Sequence, residues 1–385
     1  LDWNTICPKG PEDEVYVCGN PPFHGYAGRS TEQNKDMDDV FSDFSGSYGK
    51  MDYVASWYWK GAKYINNSTA ELAFISTNSI NQGTQVAMLW VPILKLGLCI
   101  RSAYQSFPWS NNGRSQAGVH VSVICLTANT SPTRRLFSQT EDVWQESSPN
   151  NISPYLLSGN NFVVRARAKP LRDCPRMLFG NMPDDGGNLI LSSKEKDELI
   201  NREPLTVEWI RPLIGSEEFI NGRVRWCLWL ENVAEDVINA VPEVRDRVQR
   251  VRDKRLRGSR PHLAESPARF SQISCRDVSF LIVPSVTSER RFYAPVGFFG
   301  SDVIPTNLVH TVPNATYYEF AMLSARMHMD WLRLVGGRLK SDYRYSAKLV
   351  YNTFPWPTYT DAQRKHIESL AEEVLLAREE TFEWT

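Results

Sequence analysis

Four consecutive residues, Asn20-Pro21-Pro22-Phe23, follow a short apolar run at Val15–Cys18 and the single Gly19. A small polar acceptor, two prolines and an aromatic ring suit one chemical task. The exocyclic amine of adenine is a poor nucleophile because its lone pair is delocalised into the ring. Two acceptors aimed at its two hydrogens favour a more tetrahedral nitrogen whose lone pair can attack. The Asn20 side-chain oxygen and the Pro21 main-chain oxygen can be those acceptors. Proline fixes its own φ and restricts the residue before it, which turns that carbonyl toward a cleft rather than into a sheet. Phe23 can stack on a base that has left the duplex, as enzymes working on bases require. The competing reading is that Pro21-Pro22 merely ends a strand. A tetrad of this type arises by chance in such a chain on the order of 1% of the time at average proline usage. Its place after a strand, where α/β folds hold their ligands, favours the chemical reading.

The elements that must position the tetrad alternate between strand and helix. Val15–Cys18 reads as a buried strand stopped by proline. A polar loop runs to about Gly49, and Tyr53, Val54, Trp57 and Tyr58 then recur at helical spacing through about Tyr64. Leu72–Ile75 reads as a strand and Val86–Leu96 as a helix with Gly97 just past its end. Leu98–Tyr104 and Val119–Leu126 read as two further strands. This order predicts a doubly wound, mostly parallel α/β sheet. The last two strands have no helix between them, which allows one to run antiparallel.

From about residue 145 to 345 the character changes to α+β. Phe162–Ala168 and Leu205–Ile210 read as strands, and Asn221-Gly222 as a two-residue hairpin turn leading into Trp226–Leu230. A basic helix from about Glu243 to Arg257 stops at Gly258. Phe280–Val283 and Phe292–Ala294 flank another turn, and a helix from about Thr316 to Val335 ends at Gly336-Gly337. Phe354-Pro355-Trp356-Pro357 then breaks the chain. Thr360 and Gln363 form a capping box that opens a helix with Ile367, Leu370, Val374 and Ala377 on one face, a stripe that needs a partner.

The 385 residues suffice for two or three domains. No apolar run reaches eighteen residues, so no membrane-spanning helix is expected, nor is a signal peptide. Seven scattered cysteines without a CxxC pair read as reduced thiols of a cytoplasmic protein. Six scattered histidines give no metal-binding spacing, and no metal is expected. The formal net charge of −1 carries no nucleic-acid signature, so any such partner must be argued from local charge.

Two local patterns supply that argument. Arg245–Arg260 holds eight basic residues, Arg250 and Arg257 among them, against Asp246 and Asp253. Val244, Val248 and Val251 make a narrow apolar stripe, which leaves the basic side chains the remaining faces for DNA phosphates or for solvent. In Gly337–Ser346, Arg338, Lys340, Asp342 and Arg344 alternate, and alternation in an extended segment sends side chains to one face. Lysine donates to guanine and aspartate accepts from cytosine, so Lys340 with Asp342 suits a G·C pair in the major groove. An internal salt bridge is the competing reading. Arg290 and Arg291 can likewise meet phosphates or bases. Phe107 and Trp109, late in the first region, suit either stacking near a target base or core packing. Met327, His328 and Met329 read as core beside Leu323 and Trp331.

Gly19–Gly25 resembles the amino-methyltransferase motif of adenine-N6 DNA methyltransferases. An ordered series of later stretches resembles the MmeI-type (type IIL) single-chain restriction–modification family. These are Ser76–Ile80 with Gln82-Gly83, Phe107–Asn111, Gly215–Gly222, Ser288–Arg291, Met327–Met329, Gly337–Ser346 and Tyr351–Pro357. The resemblance implies a partial class I methyltransferase core (1–140), a target recognition domain (141–348) and the start of a C-terminal helical region (349–385). It implies methyl transfer from S-adenosylmethionine to a flipped adenine in double-stranded DNA. It also implies base readout by the 337–346 region beside the methylated adenine. The glycine loop with which such enzymes bind the cofactor does not occur here. The chain therefore reads as a fragment whose cofactor-binding residues lie in a missing N-terminal part, and which alone neither binds the cofactor well nor methylates DNA. A DNA-binding specificity module without catalysis is the alternative. A glutamine-N5 protein methyltransferase, which shares the tetrad, has no need of a second domain with clustered arginines.

Overall fold

The computed structural model describes residues 1–385 except 11, 110–118, 142, 276 and 383–385. The chain divides into two units, Leu1–Arg167 with Leu332–Arg344, and Ala168–Trp331 with Tyr345–Thr385. The first opens with α1 (Trp3–Ile6) and β1 (Tyr16–Gly19), then α2 (Thr31–Val40) and α3 (Val54–Ile65). β2 (Glu71–Thr77), α4 (Gly83–Lys95), β3 (Cys99–Trp109), β4 (Val119–Thr127), β5 (Arg135–Thr140) and β6 (Val143–Ser147) follow. The sheet order is β1-β2-β4-β3-β5-β6, with β1 at one edge. β1 pairs parallel with β2, and β5 with β3, whereas β4 lies antiparallel between β2 and β3. Four of the six strands thus share one direction; β4, one of the helix-less pair, and the edge strand β6 run the other way.

The core of this unit forms where helix faces meet the sheet. α3 buries Val54, Ala55, Tyr58, Ala62 and Ile65, and α4 buries Val86, Leu89, Trp90 and Ile93. β2 alternates, with Leu72 and Phe74 inside. Helix and strand approach so closely that a Cβ on Gly61 would lie 2.8 Å from Leu72. The region read as a polar loop contains α2. Its start carries a capping box, in which Ser30 accepts from Gln33 N–H and Gln33 answers the Ser30 N–H.

The second unit begins with β7 (Leu178–Phe179), β8 (Ile190–Leu191) and α5 (Ser193–Arg202). It continues through β9 (Ile210–Ile214), α6 (Ser216–Asn221), β10 (Arg225–Leu228), α7 (Glu235–Ala240) and α8 (Pro242–Leu256). β11 (Phe280–Pro284), β12 (Val286–Thr287), β13 (Gly297–Phe299), β14 (Ile304–Pro305) and β15 (Val309–Pro313) lead to α9 (Tyr317–Ser324) and α10 (Arg326–Val335). The short strands β16 (Gly337–Leu339) and β17 (Asp342–Arg344) belong to the first unit, and the terminal α11 (Asp361–Phe382) to the second. Two four-stranded sheets, β14-β9-β10-β8 and β13-β11-β15-β7, organise the unit.

Several expected elements take another form here. Residues 162–167 are not a strand, because Val164 N–H goes to the Tyr155 hydroxyl at 3.0 Å instead of to a ladder. Pro204 opens a 3₁₀ helix over Pro204–Trp209 where a strand was expected. Asn221-Gly222 closes helix α6 rather than a hairpin. Gly222 is its left-handed C-cap at φ 63°, and Glu218 returns to the Gly215 N–H at 2.8 Å. No strand forms over 292–294. The long helix expected up to Val335 is broken at Ala325, whose extended ψ of 149° separates α9 from α10, with no proline or glycine to mark it. The Thr360–Gln363 capping box forms as expected. On α11, however, Leu370 and Val374 are exposed, and the buried position is Ala371.

Candidate functional site

The tetrad leaves the C-terminal end of β1. Asn20 is exposed, Pro21 is buried behind it, and Phe23 is half-buried. The loop is held at both ends. Upstream, Gly19 is in register with Phe74 of β2. Downstream, Tyr53 N–H donates to the His24 carbonyl at 2.8 Å, and Tyr26 N–H donates to Asp52 Oδ1 at 3.1 Å. Arg29 adds a bond from Nη2 to the Gly49 carbonyl at 2.7 Å. Asp52 also accepts from the Ser79 hydroxyl, and its own N–H donates to Gln85 Oε1 at 2.9 Å. Burial and the Asp36 carboxylate, which accepts from the Tyr53 hydroxyl, push that phenol up to about 12. The phenol beside the loop is therefore neutral. An exposed amide oxygen, a rigid prolyl carbonyl and an adjacent ring can together grip a planar amine-bearing ring. The sequence reading missed the Asp52 clamp. Ser79 lies in one of the resembling stretches, but no local spacing links Asp52 to Tyr26.

Phe107 and Trp109 are half-buried at the end of β3. Phe107 meets Trp144 edge-on at 5.3 Å, in a cluster where Tyr104 stacks on Phe137 at 4.3 Å. Ser110 and Asn111, which follow them in the resembling stretch, lie outside the described residues.

The 337–344 segment is a hairpin, not the single extended run expected. β16 and β17 pair Gly337 with Arg344, Arg338 with Tyr343 and Leu339 with Asp342. Cross-strand partners share a face, so Asp342 and Arg344 lie on one side and Arg338 on the other. Arg338 stacks on Tyr343 at 4.2 Å and bonds the Ser341 carbonyl. Lys340 is exposed at the turn with φ 58°. The hairpin is part of the first unit and packs there against α4: a Cβ on Gly83, at the start of that helix, would lie 3.4 Å from the Gly337 backbone.

The basic run on α8 is partly interior. Arg255 is 2% exposed and donates to the carbonyls of Pro183, Asp184, Leu263, Ser266 and Arg269. Arg247 is also buried, bonded to the Asn188 carbonyl and Glu195. Lys254 and Arg260 both pair with Asp184. The basic side chains thus do not all take the faces left by the valines, because Arg247 and Arg255 share the buried face with Val244 and Val251. Arg250 and Arg257 remain exposed, with Arg250 bonded to Asn188 and Arg257 to the Asp253 carbonyl. Arg290 and Arg291 are exposed on a turn fixed by Ser288. His328 and Met329 are core, whereas Met327 is 58% exposed. Among the described residues no His, Cys, Asp and Glu group could hold a metal ion, and no helix is long and apolar enough to cross a membrane.

Residues 1–138 match the family described as the MmeI DNA-methyltransferase domain, and residues 158–358 match the MmeI target recognition domain. DNA methyltransferase A of Bacillus subtilis (strain 168) is 40% identical over 386 residues, which take in 99% of this chain and 43% of that protein. The solved structure of the type IIL restriction–modification enzyme MmeI in complex with DNA has a TM-score of 0.92 to this chain at 37% identity. That match covers 99% of this chain and 51% of the MmeI chain. The chain spans about half the length of these relatives.

Proposed function

The chain belongs to the MmeI family of type IIL restriction–modification enzymes, and from that premise we propose that it supplies the target-base and DNA-reading parts of a site-specific DNA adenine-N6 methyltransferase. The observation that carries this is the exposed Asn20 at the C-terminal end of a parallel strand, backed by buried Pro21 and flanked by Phe23. Asn20 Oδ1 and the Pro21 carbonyl oxygen accept the two N6 hydrogens of an everted adenine, and Phe23 stacks on its ring. Holding both hydrogens localises the nitrogen lone pair, and the Asn20 oxygen stabilises the positive charge that develops there.

S-adenosylmethionine, when bound, supplies the electrophilic methyl group. The described residues do not fit it by themselves: β1 is the edge of its sheet, and no strand or glycine turn among them flanks its open side. No residue of this chain is assigned to the cofactor, and the isolated chain is expected to be inactive. Double-stranded DNA is the partner. Lys340 and Asp342, on a hairpin that packs against α4, read a G·C pair beside the target adenine. Exposed Arg344, Arg290, Arg291, Arg250 and Arg257 meet phosphates, and Arg338 braces the hairpin.

The test is product analysis. The full protein carrying this chain is incubated with duplex DNA and methyl-labelled cofactor, and the DNA is digested to nucleosides. N6-methyladenine is expected, and Asn20→Ala lowers its formation by about 100-fold, the scale of losing one charge-stabilising polar group. Label on cytosine or on a protein glutamine, with none on adenine, would overturn the assignment.

A further inference from the structure

Asp52 stands thirty-two residues beyond Asn20 in sequence and only 9% exposed in the fold. Both of its carboxylate oxygens are engaged. One accepts from Tyr26 N–H, three residues past Phe23, and the other accepts from the Ser79 hydroxyl on the turn that follows β2. Its backbone N–H is held by Gln85 of α4, and its carbonyl accepts from Ala55 N–H in the first turn of α3. The next residue, Tyr53, holds the His24 carbonyl. Residues 52 and 53 therefore gather four segments: the loop after β1, the turn after β2, and the starts of α3 and α4.

This arrangement bears directly on Asn20. The tetrad spans the gap between the β1–β2 ladder, which ends at Gly19 opposite Phe74, and the clamp that begins at His24. Within that gap the two prolines fix their own φ angles. Few soft dihedrals remain once the far end is fastened, so the direction of the Asn20 amide and the Pro21 carbonyl follows from where Asp52 places Tyr26. Among the described residues no lysine or arginine pairs with Asp52; the Tyr26 N–H and the Ser79 hydroxyl that it accepts from are neutral donors. The two acceptors on one carboxyl carbon join two chain segments that no backbone ladder connects.

We infer that Asp52 is a positioning residue for the target base: it fixes the loop that aims Asn20 and Pro21 at the amine without touching the base itself. The inference rests on the adenine-N6 reading given above. Misplacing a reacting group by about 1 Å costs on the order of 100-fold in rate, and this is the loss expected in kcat when the clamp is cut. The substrate's affinity, set by the DNA-reading surface, changes little.

The experiment measures methyl transfer by the full protein carrying this chain, with plasmid DNA and labelled cofactor. Wild type is compared with Asp52→Ala, Asp52→Asn and Tyr58→Phe. Tyr58 serves as the control, because its hydroxyl bonds the Phe74 carbonyl and Ser76 inside the same core, away from the loop. Asp52→Ala is expected to lose about 100-fold in kcat with KM for DNA within about threefold of wild type. Asp52→Asn keeps an oxygen for Tyr26 N–H and should recover most of the turnover. Tyr58→Phe should melt earlier at unchanged kcat. Wild-type kcat in Asp52→Ala, or a kcat loss in Tyr58→Phe as large as its own, would overturn the inference. Should Asp52→Ala fail to fold, Ser79→Ala carries the test. A lowered kcat at constant KM supports the clamp, and an unchanged kcat overturns it. A wild-type protein that makes no N6-methyladenine would instead refute the functional reading on which the inference stands.

Discussion

His310 and His328 show how strongly single residues in the second unit depend on being neutral. Both are fully buried. The Nε2 of His328 meets the Tyr345 hydroxyl at 2.8 Å, and that of His310 meets the Tyr345 carbonyl at 3.3 Å. Burial depresses the imidazoles from the usual 6.5 to about 3 for His328 and about 4 for His310, where the Tyr345 carbonyl partly opposes the shift. A depressed folded-state value means that the unfolded chain binds the proton first. The stabilising contribution is therefore complete above pH 6.5 and is lost as the pH falls toward 4 and then 3. Each histidine should cost about 1 kcal/mol per pH unit below 6.5. Urea midpoints of the chain measured from pH 7.5 down to 4.5 should fall across that window, and His328→Gln should remove about half of the slope. A flat profile would contradict the burial of neutral rings. The carboxylates held low by their partners, such as Asp184 beside Lys254, weaken the fold only at more acid pH.

At the scale of the element, the hairpin of β16 and β17 is the most instructive. Lys340 occupies the left-handed region at φ 58°, where a residue with a Cβ costs roughly 1–2 kcal/mol and glycine costs nothing. Lys340 thus holds the turn at a conformational cost that a glycine there would not carry. It stands exposed at the tip, one residue past the Leu339–Asp342 pair. If Lys340 and Asp342 read a G·C pair, exchanging them as Lys340→Asp with Asp342→Lys should change the base pair recognised next to the methylated adenine. The chain's fold should persist, since Arg338 and Tyr343 hold the opposite face. Sequencing of methylated positions in DNA treated with each protein decides it. An unaltered recognised sequence would leave the pair a mere surface contact. The sequence showed the alternating charges but not the turn, because its Lys340-Ser341 lacks the Asn-Gly or Gly signature of such turns. The reverse error arose at Asn221-Gly222, where a hairpin signature instead ends a helix.

At the scale of the whole molecule, the parts legible in the sequence are those that local rules dictate. Proline after an apolar run placed the tetrad, and strand–helix alternation gave the direction of the main sheet. A missing crossover helix allowed the antiparallel strand that β4 proves to be. What distant residues decide was not legible. Arg255 looks like any other charge in a basic run, yet the carbonyls that hold it come from residues 183–184 and 263–269. The Val164 N–H leaves the strand pattern because one tyrosine hydroxyl is within reach. Asp52 carries no motif at all, since its meaning depends on β1, β2, α3 and α4 already being in place.

That sheet also has a margin. Along β1 the outward N–H and C=O groups of a four-residue strand face away from β2, and Tyr16 beside them is 60% exposed. A margin that no described strand pairs with is a template for another chain's backbone. Purified alone, the chain should self-associate as its concentration rises, and Tyr16→Lys, which places a charge on the margin, should keep it monomeric. Sedimentation velocity of both proteins over a range of concentrations tests this, and a wild-type chain that stays monomeric throughout would show that the margin is already guarded.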